Sequence, residues 1–245
     1  MKVLTKILKT VWTSCFYLNF VVSFLVLYPF FYLTLKSGKY RWAHVLKKIW
    51  AYFIFLLPGI KVRTFTEGYI NPQKAYIFCP NHTSYLDVPL TRLAFPGYYL
   101  YMGKAELLKS FFFGIFFKTM DIVVNRESVI SSHRAFVKAG QELEKGIGLV
   151  LFPEGTISEI VPCLTEFKPG PFRLAIKHKI PIVPVTIIDN WKLLPDKNRL
   201  QGRPGKARII IHEPIETKDM TEKNISQLKD MVFKKIDQTL KNYGN

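Results

Sequence analysis

Cysteine is scarce in this chain of 245 residues, which contains only Cys15, Cys79 and Cys163. An odd number of widely spaced cysteines fits neither a disulfide framework nor the paired ligand spacing of a zinc site. We therefore expect a protein of a reducing compartment. The sequence also lacks a G-x-S-x-G segment, which argues against a serine hydrolase, and it lacks internal repeats and low-complexity linkers.

Acidic residues are few as well: 18 Asp and Glu stand against 35 Lys and Arg, for a formal net charge of +17. A basic excess of this size indicates a polyanionic partner, which can be nucleic acid, an anionic membrane or a phosphate-bearing substrate. The basic residues are spread along the chain and form no familiar nucleic-acid-binding module. Together with the apolar N-terminus, this distribution favours an anionic membrane surface over nucleic acid.

Charge is absent from residues 10–35, a stretch longer than the roughly 20 apolar residues that cross a bilayer as a helix. No small-residue cleavage site follows it, so it is not a typical signal peptide. A second apolar patch, at residues 49–60, is too short to span. Basic residues flank the long stretch on both sides: Lys2, Lys6 and Lys9 before it, and Lys36, Lys39, Arg41, Lys47 and Lys48 after it.

Two interpretations of this N-terminal region stay open. One is a single membrane-spanning helix, with the larger basic cluster and the rest of the chain on the cytoplasmic side. The other is a hairpin within one leaflet, in which Pro29 breaks the helix. A buried core helix is disfavoured because the uncharged run exceeds ordinary core helices. We expect a membrane-associated segment over residues 1–60 and a separate domain over residues 61–245.

The region after residue 60 alternates between strand-like and helix-like segments. Short apolar runs predict strands at residues 75–79, 98–102, 122–124, 149–152, 182–188 and 208–211. Helices are predicted near residues 84–95, 104–118, 128–145, 170–179 and 221–242, the last one as an amphipathic cover. This alternation is typical of an α/β domain, with a largely parallel mixed sheet flanked by helices.

A first polar turn follows the predicted strand that ends at Pro80, and it contains His82 and Asp87. Histidine is the usual general base near neutral pH, and a carboxylate on its other nitrogen fixes the tautomer. Within one helix, residues five apart point away from each other, so the two can pair only if His82 lies in the turn and Asp87 in the first helical turn. The alternative is that Ser84-x-x-Asp87 merely caps the helix.

A second polar turn follows the predicted strand at residues 149–152 and reads Pro153-Glu154-Gly155-Thr156. Ligands of open α/β sheets bind beyond the carboxyl ends of strands, so both turns are expected at one edge of the sheet. Gly155 lets backbone amides approach a ligand, while Glu154 and Thr156 offer an acceptor and a hydroxyl. The alternative here is an ordinary strand-to-loop turn.

These motifs together resemble the glycerolipid acyltransferase family, the lysophosphatidic acid acyltransferases. The family signature is NHxxxxD followed by FPEGTRS, and this chain has NHTSYLD at residues 81–87 and FPEGTIS at residues 152–158. Two further blocks agree in order: KAEL at 104–107 with IVVNR at 122–126, and PIVPV at 181–185. The resemblance covers roughly residues 62–215, and blocks in order are more specific than any single one.

The resemblance implies an O-acyltransferase of phospholipid biosynthesis with the glycerolipid acyltransferase fold. It would move a fatty acyl group from acyl-CoA or acyl carrier protein to lysophosphatidic acid, giving phosphatidic acid. His82 would remove the proton from the acceptor hydroxyl and Asp87 would orient His82. The family uses no metal, no cofactor and no covalent acyl-enzyme. Residues matched to the family's acceptor-binding positions are Lys104, Arg126, Glu154, Gly155 and Thr156.

One position departs from the family pattern, because Ile157 stands where the family has an arginine. Either Lys104, Arg126, Lys168 or Arg173 compensates, or the acceptor is another lyso-lipid, such as an amino-acid-containing one. Two alternatives of a different kind are a Cys79 nucleophile paired with His82, and a non-enzymatic basic membrane-binding protein. The segment FFFGIFF at residues 111–117 is interpreted as core, with an acyl-chain channel or bilayer contact as the alternative.

Overall fold

The computed structural model describes residues 2–125 and 127–243, and over these residues the chain forms a seven-stranded mixed sheet. The strands are β1 (Ile60–Thr66), β2 (Ile77–Pro80), β3 (Tyr99–Lys104), β4 (Ile122–Val124), β5 (Gly148–Val150), β6 (Ile182–Ile187) and β7 (Gly205–Ile211). Their order is β1-β7-β6-β2-β5-β3-β4. The strands from β6 to β4 run parallel, β7 is antiparallel to β6, and β1 is parallel to β7.

Helices cover the sheet, and two of them come before its first strand in the chain. They are α1 (Lys2–Lys36), α2 (Tyr40–Leu56), α3 (Asp87–Ala94), α4 (Gly114–Thr119), α5 (Val129–Glu144), α6 (Gly170–His178), α7 (Asn190–Leu193) and α8 (Ile225–Tyr243). Short 3-10 helices span Ala105–Lys109 and Glu222–Asn224. The expected α/β class with a largely parallel mixed sheet is confirmed. The central strands β2 and β6 are buried throughout and mostly apolar, because helices cover both faces of the sheet.

Two elements differ from the sequence prediction. The edge strand β1 was not predicted, because most of its side chains are exposed and the segment carries no apolar run. The predicted helix over residues 104–118 is divided into a 3-10 helix and α4. At the start of α4 the backbone of Gly114 approaches the carbonyl oxygen of Leu108 so closely that a Cβ would lie 2.7 Å from it. The C-terminal helix α8 does bury one apolar face, through Leu228, Val232, Ile236 and Leu240.

The N-terminal region forms a helical hairpin, with α1 packed along α2. Pro29 lies inside α1 and does not break it, so the break on which the in-leaflet alternative relied does not occur. A proline inside a helix removes one hydrogen bond, and long apolar helices tolerate this when packing holds them. The chain instead turns at Gly38, which adopts a positive φ of 69°. Among the described residues, α1 is the helix long and apolar enough to cross a membrane.

One face of α1 packs on the rest of the protein while the opposite face stays exposed. Phe24 and Phe31 are fully buried against Trp50 of α2, and the indole nitrogen of Trp12 donates to the Pro58 carbonyl at 3.0 Å. Thr13 accepts a hydrogen bond from the amide of Gly202 at 2.9 Å. The exposed face is apolar, and it includes Leu18, Val22, Leu25, Val26 and Leu33. The helix is therefore anchored to the domain and still presents an apolar surface.

A buried ion pair joins the hairpin to the sheet. The Lys47 ammonium in α2 lies 2.7 Å from a carboxylate oxygen of Asp121, which precedes β4, and both side chains are nearly inaccessible. The other oxygen of Asp121 accepts from the Tyr101 amide at 3.0 Å. Burial lowers the pKa of Lys47 to about 8, and the nearby carboxylate opposes that shift. Removing one partner of such a pair leaves an uncompensated charge in the interior.

We expect Asp121→Ala to lower the free energy of unfolding by about 3–5 kcal/mol, because Lys47 then lacks its counterion. Urea unfolding in detergent micelles, followed by tryptophan fluorescence, measures this. The matched control is Asp237→Ala, which breaks the ion pair with Lys241 on the surface of α8 and should cost less than about 1 kcal/mol. Equal losses in the two variants would contradict a stabilising role for the buried pair.

Candidate active site

The loop after β2 is fixed to the end of β6 by the side chain of Asn81. Its amide nitrogen donates to the Ile187 carbonyl at 3.0 Å, and its oxygen accepts from the Ile187 amide at 2.7 Å. Asn81 is fully buried, so these two bonds extend the pairing of β2 with β6 by one step beyond the backbone ladder. The residues that follow Asn81 therefore start from a rigid position.

His82 and Asp87 form a hydrogen-bonded pair at this edge of the sheet. Nδ1 of His82 lies 2.9 Å from Oδ2 of Asp87. His82 lies in the turn and Asp87 is the first residue of α3, so the chain folds back between them as the spacing requires. A carboxylate only accepts hydrogen bonds, so the proton of neutral His82 belongs on Nδ1 and the lone pair on Nε2.

The Asp87 carboxylate is fully buried and surrounded by donors. Oδ2 accepts from the amides of Thr83 and Ser84, the latter at 2.8 Å, in addition to His82. Oδ1 accepts from the Thr83 hydroxyl at 3.3 Å and from the Asn190 side-chain amide at 2.7 Å. The carboxylate thus satisfies backbone donors of the turn before α3 and orients His82 at the same time. The N-cap residue of α3 is Leu86, without a side-chain cap bond, so Ser84 and Asp87 do not form the capping pair that the alternative requires.

Glu154 lies directly behind the His82 loop. Its Oε1 accepts from the His82 amide at 2.8 Å, and its Oε2 accepts from the amide and hydroxyl of Thr165 at 2.9 and 2.8 Å. Burial raises the pKa of Glu154, and the hydrogen bonds from His82 and Thr165 oppose the shift. Both carboxylate oxygens are therefore engaged within the protein. This contact differs from the headgroup role that the resemblance implies for Glu154.

The two polar turns are also joined through other contacts at His82. The Ser158 amide donates to the His82 carbonyl at 2.8 Å. The imidazole ring stacks on Phe152, with ring centroids 4.1 Å apart. Since β2 and β5 are parallel neighbours, their following loops meet at one edge of the sheet, as the sequence predicts. The His82 backbone and ring are held from several sides, while its side chain stays 16% exposed.

The other candidate residues lie around the same opening. Lys104, Gly155 and Thr156 line a cavity that also contains His82, and Gly155 adopts a positive φ of 79°. Ile157 lines this cavity as well, so an aliphatic side chain occupies the position of the family arginine. Arg126 lies outside the described residues. Its role, like those of the other candidate site residues, stays a prediction.

The cavity itself is large, with a volume of about 1420 Å³. Part of its lining is apolar and comes from α1, α2, α4 and the residue before α4, namely Phe20, Trp50, Ile54, Phe113, Phe116 and Phe117. Charged side chains also line it: the cations Lys104, Lys168, Arg173, Lys177, Lys179 and Arg199, and the acids Glu106, Asp121 and Glu222. We call these apolar residues the apolar wall and these cations the basic wall. A volume above the usual range for small-molecule sites, with an apolar lining and an excess of cations, suits a ligand with a long chain and an anionic group.

Cys79 is an unsuitable nucleophile. It is fully buried within β2, where it pairs with Pro184 of β6, and desolvation raises the pKa of its thiol. The reactive form of cysteine is the thiolate, which this position disfavours. Within residues 2–125 and 127–243, no group of three or more His, Cys, Asp and Glu side chains could hold a metal ion.

Asn190 and Thr165 are site residues that the sequence did not indicate. Asn190 follows β6 and contacts Asp87, which is 103 positions earlier in the chain. Thr165 contacts Glu154 from a loop 11 positions later. No local pattern distinguishes either residue from ordinary loop asparagine or threonine, because their partners are set by the order of strands in the sheet.

Comparison with known proteins agrees with this geometry. A family model described as Acyltransferase matches residues 61–188, which include both polar turns. A 1-acyl-sn-glycerol-3-phosphate acyltransferase of Chlamydomonas reinhardtii is 28% identical, over 94% of this chain and 67% of its own length. A chloroplastic enzyme of the same name from Brassica napus is 31% identical, over 82% of this chain and 60% of its own length.

The fold is likewise shared with a solved structure. The crystal structure of the 1-acyl-sn-glycerophosphate (LPA) acyltransferase PlsC from Thermotoga maritima superposes with a TM-score of 0.78. The sequences are 23% identical, and the match covers 99% of this chain and 97% of that one, so the likeness establishes the fold. Since the family model spans more than half of the sequence, this chain belongs to the acyltransferase family.

Proposed function

We propose that the protein transfers a fatty acyl group from a thioester to the free hydroxyl of lysophosphatidic acid, giving phosphatidic acid. The observation that carries this proposal is the His82–Asp87 pair, 2.9 Å apart, beside a cavity with an apolar wall and a basic wall. The relatives named above as 1-acyl-sn-glycerol-3-phosphate acyltransferases support the same reaction.

The reaction begins with Nε2 of His82, because Nδ1 is occupied by Asp87. Nε2 removes the proton of the acceptor hydroxyl as its oxygen attacks the thioester carbonyl. The resulting imidazolium is stabilised by the buried Asp87 carboxylate and then protonates the leaving thiolate. One ester bond forms, one thioester bond breaks, and the proton passes from the hydroxyl to the thiol. No acyl group is attached to the protein at any stage.

The apolar wall of the cavity suits the fatty acyl chains. Phe113, Phe116 and Phe117 line it, so part of the FFFGIFF segment serves both the core and the cavity. Phe116 is fully buried, while Phe111 is exposed beside α1. Burying a methylene group stabilises a complex by about 0.8 kcal/mol, so this wall gives a long chain substantial affinity. The thioester donor is acyl-CoA or acyl carrier protein.

The basic wall suits the acceptor phosphate. Among the described residues, neither Lys168 nor Arg173 has an ion-pair partner, and the N-terminus of α6 at Gly170 lines the same wall. A dianionic phosphate is favourably placed beside cations and a helix N-terminus. These residues therefore replace the positive charge that Ile157 lacks.

A second acceptor class is favoured by Ile157 itself. An aliphatic side chain cannot bind phosphate, and it is compatible with a lyso-lipid whose headgroup is zwitterionic or contains an amino acid. The same His82 chemistry would apply to that acceptor. The choice between the two acceptors rests on whether Lys168 and Arg173 contact the headgroup.

Membrane association follows from the exposed apolar face of α1, with Lys36, Lys39 and Arg41 next to it. Only 17% of the most apolar window of α1 is buried inside the protein. We propose that residues 1–60 hold the protein at the membrane, with the remaining domain on the cytoplasmic side, where basic residues face anionic lipid. A lipid acceptor can then reach the cavity from the bilayer.

His82→Ala should abolish acyl transfer, with a loss of roughly 10²- to 10⁴-fold in kcat, because the general base is removed. Asp87→Asn should be similarly severe, since it removes the charge that stabilises the imidazolium. The assay is release of thiol from acyl-CoA or acyl carrier protein with lysophosphatidic acid as acceptor. Cys79→Ala is the control and should keep most activity. Normal turnover by folded His82→Ala protein would refute the mechanism.

Lys168→Ala and Arg173→Ala should each raise the KM for lysophosphatidic acid about 10- to 100-fold while the donor KM stays unchanged, because each removes a charge-assisted bond to phosphate. Ile157→Arg should keep or improve synthesis of phosphatidic acid. Lys206→Ala, an exposed cation on β7 away from the cavity, serves as the control. If wild type ignores lysophosphatidic acid and acylates a lyso-lipid that contains an amino acid, the second acceptor class is correct.

The double variant Leu18→Glu/Leu25→Glu should move much of the protein from the membrane to the soluble fraction, because it places two charges on the exposed face of α1. Carbonate extraction followed by immunoblotting measures the distribution. The control is Ile130→Glu/Ile160→Glu, which adds the same charge at exposed apolar positions outside the N-terminal hairpin. Equal membrane retention of the two double variants would count against α1 as the anchor.

A further inference from the structure

Asn190 makes a contact with Asp87 that no other part of the site provides. The remaining donors to this carboxylate come from residues 82–84, in the same turn of the chain. Asn190 belongs to α7, which follows β6, and its side-chain amide donates to Oδ1 of Asp87 at 2.7 Å. The carboxylate is thereby also held by a segment distant in sequence from its own turn.

The side chain of Asn190 is oriented for this one bond. It is fully buried, and its carbonyl oxygen has no hydrogen-bond partner among the described residues. Rotating the amide by half a turn would place that oxygen against the Asp87 carboxylate, which is repulsive. Buried acceptors are nearly always paired, and an exception calls for an explanation. Here the side-chain nitrogen of Asn190 donates to Asp87 although the side-chain oxygen stays unpaired among the described residues.

The frame that carries Asn190 is rigid relative to the His82 loop. Asn81 is bonded twice to Ile187, close before Asn190 in the chain. The Ser84 hydroxyl donates to the Leu194 carbonyl at 2.7 Å, just after α7. Both ends of the segment that contains Asn190 are therefore tied to the segment that contains His82 and Asp87. Small movements of one segment relative to the other are restricted.

We propose that Asn190 is a positioning residue for the acyl transfer, an inference that rests on the proposed function of His82 and Asp87. Its amide fixes Oδ1 of Asp87, so that Oδ2 faces Nδ1 of His82 and the His82 lone pair stays on Nε2. Asn190 is not among the residues that line the cavity. It acts through Asp87, on the orientation of the base and on the stability of the imidazolium.

Two variants test this role in full-length protein. Asn190→Ala removes the donor, and we expect kcat to fall roughly 10- to 100-fold while the acceptor KM stays within about threefold. Asn190→Asp keeps the shape of the side chain and places a second carboxyl group beside that of Asp87, so that the two share one proton. That shared proton can still bond Asp87 at low pH and is lost as pH rises. Asn190→Asp should therefore lose activity with rising pH over a range in which wild type does not.

Thr239→Val is the matched control, because it also removes a buried polar side chain, here in α8. It should leave kcat, KM and the pH profile unchanged. Thermal unfolding shows whether each variant is folded. If Asn190→Ala is unfolded, the test rests on the activity of Asn190→Asp, measured from low pH upwards. A wild-type kcat and pH profile for folded Asn190→Asp would overturn the proposal. So would a loss in Asn190→Ala that appears only in KM.

A measurement without substrate separates this inference from the proposed function. ¹⁵N NMR of His82, identified by loss of its signals in His82→Ala, reports which ring nitrogen carries the proton. We expect the proton on Nδ1 in wild type and a mixture of tautomers in Asn190→Ala. Unchanged tautomers would overturn the positioning role. Absence of acyl transfer by wild type to any lyso-lipid would instead overturn the proposed function, whatever the NMR shows.

Discussion

The buried carboxylate of Asp87 is the constraint on which the site depends. A carboxylate removed from water is stable only when donors replace its hydration, and here Thr83, Ser84, His82 and Asn190 supply them. These donors come from the turn after β2 and from the start of α7. Because each must reach the same two oxygens, the carboxylate fixes the turn, the helix start and the imidazole in one geometry.

A second buried carboxylate, Glu154, extends the same principle to the neighbouring loop. It bonds the His82 amide on one side and Thr165 on the other. The two acids are thus used inside the protein to position His82, whereas the cations Lys168 and Arg173 stay exposed at the cavity wall. Lys168 and Arg173, which have no ion-pair partner among the described residues, thus place positive charge where an anionic ligand can reach it.

The helix α1 links the cavity with the apolar surface of the protein. Phe16 and Phe20 on one face of the helix line the cavity, while Leu18 and Leu25 on the opposite face are exposed. A lipid-facing surface and a cavity wall are therefore separated by the width of a single helix. This arrangement shortens the distance between the exposed apolar surface of α1 and the cavity that contains His82.

The sequence by itself determined most of the strands and helices after residue 60, the uncharged N-terminal stretch and the spacing that lets His82 pair with Asp87. These features depend on local patterns: β-branched apolar runs, absence of charge, and a spacing that allows one fold-back. Only the tertiary structure decided that Pro29 stays within α1, that Glu154 holds the His82 loop and that Asn190 reaches Asp87. Each of these depends on contacts between distant segments, because the sheet order, which places β2 between β6 and β5, brings those segments together and leaves no trace in any short stretch of sequence.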